Sequence, residues 1–104
     1  MSEKNKLFGI SKSTTIEIDG TAFHIKRPSN AQFAVFVDMA DNDKVQIMDL
    51  MFAIVSCTWV DDRGDLVLSA DDKEAFLNEG DASTTMKLGE EIQKFIGLGD
   101  EQGK

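Results

Sequence analysis

The sequence is short of the residues on which most catalytic and metal-binding chemistry depends. Its 104 residues include one cysteine, one proline, one histidine, one tryptophan and no tyrosine. A single cysteine excludes an intrachain disulfide, and with it the stapled architecture of small secreted domains. His24, with no second histidine and no neighbouring cysteine, cannot anchor a zinc site of the usual ligand count. Positive charge is scarce as well: 11 Lys and Arg face 19 Asp and Glu, a net charge of −8. The deficit lies in residues 29–104, which hold six bases and sixteen acids, whereas residues 1–28 hold five bases and three acids. A surface that negative repels phosphate backbones, so nucleic acid is disfavoured as a partner. Long apolar runs are missing too. The most apolar stretch, residues 47–57, contains Asp49 and falls well short of the roughly 18 residues of a membrane span. The patch Leu7-Phe8-Gly9-Ile10 is too short for a signal-peptide core. The expectation is a soluble, cytoplasmic protein with no membrane partner.

What remains has the composition of one globular domain, with 41% apolar and 29% charged residues. Residues 1–13 read as a flexible N-terminal arm, 14–98 as a single globular domain and 99–104 as a flexible tail. Two alternating runs, Thr15 to Asp19 and Thr21 to Lys26, are joined by Asp19-Gly20, the strongest short hairpin signal. Pro28-Ser29-Asn30-Ala31-Gln32 reads as a helix start, with Ser29 and Gln32 at capping-box spacing. Phe33, Phe36, Val37 and Ala40 follow at helical spacing. Asp41-Asn42-Asp43 interrupts them, and Asp43 with Gln46 offers a second cap, which predicts a new helix from about Lys44 to Thr58. A single helix running through 41–43 is the alternative.

This second helix is apolar nearly all round. Val45, Met48, Phe52, Val55 and Trp59 form one stripe, and Ile47, Met51 and Ile54 form its neighbour. Such a helix is buried on more than one side. After a turn at residues 61–65 comes a short extended run, Leu66-Val67-Leu68. Ser69-Ala70-Asp71-Asp72 then caps a third helix that stops at Gly80, and a fourth runs from about Ser83 to Ile96. The fold class predicted is α+β, mostly α, with an N-terminal β-hairpin packed on a bundle of about four short helices.

No group in the chain combines the types and spacing a catalytic site needs. Cys57 lies in an apolar helix, where a thiol is ordinary core filler. The acids cluster at turns and helix starts, where capping accounts for them; Asp49, alone among apolar neighbours, marks a thin solvent stripe. Asp61, Asp65, Ser69 and Asp72 fall at ligand positions of a twelve-residue calcium loop. Arg63 puts a cation at another of them, however, and Gly64 is not where that loop must turn sharply. Arg63-Gly64-Asp65 reads as a turn. No glycine-rich phosphate loop is present. The expected site is therefore neither catalytic nor metal-binding nor cofactor-binding, and no cofactor is expected.

The order of elements resembles the tail assembly chaperones of long-tailed bacteriophages and prophages. The resemblance covers about residues 15–98. It rests on the hairpin leading into Lys26-Arg27-Pro28-Ser29, and on a helix ending in Ser56-Cys57-Thr58-Trp59-Val60-Asp61-Asp62-Arg63-Gly64. Leu66-Val67-Leu68-Ser69-Ala70-Asp71-Asp72 and a terminal helix complete it. Arg63 departs from the family's more usual small or acidic residue. The resemblance implies a non-enzymatic protein of the bacterial host's cytoplasm, absent from the mature virion. Its partners would be the tape-measure protein and tail-tube subunits. The alternatives are a structural virion (tail completion) protein and a small acidic regulatory or antitoxin-like module, with self-association open in each case.

Methionines on the second helix suit a binder of varied amphipathic helices, and negative charge suits keeping a loaded complex soluble. With few elements to cover that helix, part of the surface around Phe33, Phe36, Met48, Met51 and Phe52 is expected to stay available for protein binding. The broken calcium loop yields a first prediction. Saturating calcium, or a chelator, leaves the melting temperature unchanged, whereas a rise of several degrees with calcium would reveal a native-state site, because a ligand bound only by the native state must stabilise it.

Overall fold

The computed structural model describes residues 13–97. The expected tail and all of the expected arm except Ser13 lie outside them. Ser13 itself opens the first strand.

Strands β1 (Ser13–Ile18) and β2 (Thr21–Lys26) form the hairpin, with Ile18 opposite Thr21 and Ser13 opposite Lys26. Asp19 and Gly20 both take positive φ, 51° and 88°, the geometry that lets a two-residue turn follow the right-handed twist of its strands. Ile18 and Ile25 are buried on the inner face. A third strand, β3 (Trp59–Val60), adds to β2 in antiparallel register and gives the order β1-β2-β3.

β3 corrects the sequence reading, which put Trp59 on a helical stripe. Helix α2 spans Ile47–Ser56 and ends before Trp59. The buried Thr58 hydroxyl donates to Ile54 O at 2.6 Å, and Thr58 O accepts the Lys26 N–H at 2.9 Å. One residue therefore closes the helix and starts the sheet pairing. Trp59 leaves along the sheet to meet Phe23 edge-on at 5.3 Å between ring centroids.

The break at 41–43 is real, and α2 begins later than Lys44. The Asp43–Gln46 cap does not form. Asn42 Oδ1 accepts the Lys44 N–H instead, and Gln46 sits at the N-cap without a side-chain bond. The cap of α1 (Asn30–Ala40) does form. Ser29 N–H donates to Gln32 Oε1 at 2.9 Å, and Gln32 N–H donates to Ser29 Oγ at 3.3 Å. Ser69 and Asp72 cap a short 3-10 turn, Ala70–Asp72, which continues into α3 (Lys73–Glu79). Asp81 caps α4 (Ala82–Phe95), and Gly97 at φ 89° follows its end.

Helix α2 is the hub. Helices α1, α3 and α4 all pack on it, and α4 also packs on β1. Ile54 and Val55 join Ile18, Ile25, Phe36, Cys57, Leu88 and Ile92 in one core. α4 meets α2 at Gly89, where an added Cβ would collide with the Met51 sulfur. Met86 of α4 is exposed. Gly89→Val is expected to destabilise the fold by about 1–3 kcal/mol through overpacking against a buried Met51. Urea unfolding checks this, and an unchanged midpoint would show that the two helices can part without cost.

Candidate functional site: an apolar groove beside α2

The structure distributes the five expected binding residues unequally. Phe36, Met51 and Phe52 are buried within the chain, and Phe33 and Met48 are half-buried. Phe36 sits in the main core with Phe33 tilted against it, ring centroids 6.4 Å apart. Met51 lies against Gly89, and Phe52 meets Phe76 of α3 edge-to-face at 5.1 Å. Three short helices and a sheet thus cover most of α2, and three of the five side chains are used in doing so.

What α2 keeps open is its flank toward α1. Gln32, Val35 and Met39 of α1 face Asp49, Phe52, Ala53 and Ser56 of α2, and Cys57 at its end, across a mostly apolar groove of about 320 Å³, with Lys73 of α3 at one side. Val35 is 58% exposed, the most exposed large apolar side chain among the described residues. Val35 and Met39 are one helical turn apart, so both project from the same wall. Asp49 pairs with Lys73 at 3.3 Å. That contact ties α3 to α2 and gives the groove a polar margin.

Val35 was not legible as a site residue because the stripe through Phe33, Phe36 and Val37 absorbed the apolar signal of α1. Only Phe36 on that helix is buried, and Val37 is partly exposed. The usable signal was the second apolar pair, Val35 and Met39, offset from the first. α1 has more apolar surface than one core contact requires.

The two groove residues with a hydroxyl or thiol are tied to α2: Ser56 Oγ donates to Ala53 O at 3.2 Å, and Cys57 is held in the same way. Cys57 Sγ lies 3.5 Å from Ile54 O, and burial pushes its thiol above the usual range. It stays protonated and unreactive. His24 is exposed on the outer face of the sheet, with Nδ1 3.0 Å from Thr15 Oγ1. In the 61–65 loop, Asp61 Oδ1 accepts the Arg63 N–H at 2.9 Å and the Asp65 N–H at 3.0 Å. Those bonds hold its carboxyl below the usual range and commit one oxygen to shaping the turn. Among the described residues no three His, Cys, Asp or Glu side chains come close enough to hold a metal ion. None of the described helices is long and apolar enough to cross a membrane.

Two substitutions separate wall from core. Phe52→Asp is expected to unfold the chain, since an unpaired buried charge costs several kcal/mol. Val35→Asp, on the exposed wall, should shift stability by less than about 0.5 kcal/mol. Thermal melts of the two proteins decide: equal losses would mean that α1 is packed more tightly than its exposure indicates. Comparison of the chain with protein-family models, with curated proteins and with solved structures finds no match in any of the three.

Proposed function

We propose that the chain is a non-enzymatic tail assembly chaperone of a long-tailed bacteriophage or prophage. In this reading it binds the tape-measure protein and recruits tail-tube subunits in the host cytoplasm, and it does not enter the mature virion. The observation that carries the reading is the groove between α1 and α2. It is apolar, long enough to be lined by two turns of each helix, and bordered by Val35 exposed to solvent. A groove of that kind takes the apolar stripe of a partner helix.

Charge supports the same assignment. Helices α1 and α2 together carry two acids, Asp38 and Asp49, and no base. With a net charge of −8, the body repels other copies of a loaded complex and so opposes precipitation of an aggregation-prone client. The identity of the client comes from the resemblance in element order; the groove supports the mode of binding.

The test is co-expression with the product of a neighbouring gene for a very long helical protein. The expected outcome is that the long protein becomes soluble and co-purifies with this chain, and that Val35→Asp combined with Met39→Asp abolishes both effects. A long protein equally soluble without this chain would contradict the reading. Detection of the chain in purified particles would favour a tail completion protein, and an obligate toxin gene alongside would favour a regulatory module.

A further inference from the structure

Charge is spread unevenly over the described residues, and its excess lies on the groove side. Strands β1 and β2, their turn and α4 hold four acids and three bases. Two of those bases are paired, Lys87 with Asp19 at 3.0 Å and Lys94 with Glu91 at 3.4 Å. Helices α1, α2 and α3, with the 70–72 turn, hold six acids and one base. The 41–46 connection adds two acids and one base. The single base on the helices is Lys73, already paired with Asp49 at 3.3 Å. Asp38, Asp71, Asp72, Glu74 and Glu79 thus have no cation on these helices to offset them. Asp38 stands at the groove's rim. It follows Val35 by three residues and directly precedes Met39, on the side of Val35 turned away from the buried Phe36.

The groove also constrains the form of its occupant. From Gln32 to Met39 on α1 and from Asp49 to Ser56 on α2, its walls run for about 10 Å, the distance from i to i+7 on a partner helix. Ala53 and Ser56 are small, so the α2 wall leaves room there for bulky side chains. The polar side chains of the walls are engaged within them. Gln32 Oε1 accepts the Ser29 N–H at 2.9 Å, and Ser56 Oγ donates to Ala53 O at 3.2 Å. An extended segment would find few partners there for its backbone, whereas a helix brings its own hydrogen bonds.

We infer that the occupant is a basic amphipathic helix. Its large aliphatic side chains at i, i+4 and i+7 sit between Val35, Met39 and Ala53. Its Lys or Arg residues flank that stripe, toward Asp38 of α1 on one side and the acids of α3 on the other. The inference rests on the reading of the groove as a helix-binding site and adds the chemistry of the helix. Asp49 and Lys73 neutralise each other at the margin, so the attraction comes from the acids that no base on these helices offsets. A helix with acidic flanks meets like charge on both walls, which selects against it.

Two synthetic helical peptides test this, with the same leucines at i, i+4 and i+7 and with lysine flanks in one and glutamate flanks in the other. Each is titrated into the full chain by calorimetry. At low ionic strength the lysine peptide should bind about tenfold more tightly or better, and the advantage should shrink as salt is raised. Asp38→Lys with Glu74→Lys, both at exposed positions, should reduce that advantage several-fold. Val35→Ser with Met39→Ser removes the apolar wall without changing the charge and should weaken both peptides. Equal affinity for the two peptides, lost on the wall substitutions, would overturn the inference and leave the groove standing as a helix site. Lysine-peptide binding untouched by the wall substitutions would overturn both, since it would be attraction to an acidic surface alone. Failure of both peptides to bind, with self-association that the wall substitutions abolish, would give the groove to a second copy of the chain and overturn the inference.

Discussion

Ten residues of α2 carry a single charge, Asp49, and a chain of 104 residues has little else with which to shield them from water. Each neighbouring element is placed by that demand. α4 packs so that the Met51 side chain fills the space a Cβ on Gly89 would take. α1 contributes Phe36, and α3 contributes Phe76 against Phe52. Fully burying each large apolar side chain is worth roughly 1.5–3 kcal/mol, so the helix that nothing but neighbours can satisfy also does most to hold them. The sheet joins through Thr58, whose side chain ends α2 and whose carbonyl accepts the first bond of β3.

The sequence announced those elements whose signal is local. Asp19-Gly20 set a two-residue turn because the left-handed conformation is cheap for that pair, and Ser29 with Gln32 set the start of α1 because both bonds lie within three residues. The break between α1 and α2 was visible for the same reason. β3 was not. A two-residue strand has no period, and Trp59 continues the helical stripe of α2 to within one position. Long-range pairing, the Lys26 N–H on Thr58 O and the β2–β3 register, holds the chain out of the helix. The false cap at Asp43 and Gln46 shows the reverse error, a correct spacing defeated by Asn42, which took the nearer amide.

The sequence reading chose Phe33, Phe36, Met48, Met51 and Phe52 as a binding surface because they are large and apolar, but the largest apolar side chains are those the fold itself consumes first. Phe36, Met51 and Phe52 are buried for that reason. The groove is built from what is left: Val35 and Met39 of α1, Ala53 and Ser56 of α2, and the outer edges of Phe52 and Cys57. These are the apolar residues that the core does not bury, and the proposed binding role rests on them. Asp49 and Lys73 set the limit of the groove without closing it.

The central claim is that a partner helix lies between α1 and α2 over a core that does not open to receive it. Amide protection measured on this chain, free and in complex with a soluble helical segment of the tape-measure protein, tests both halves at once. The account predicts added protection in residues 32–39 and on the outer side of α2, with the amides of Leu88 and Ile92 unchanged. Protection gained only on the hairpin or α4, or loss of protection at Leu88 and Ile92 on binding, would contradict it.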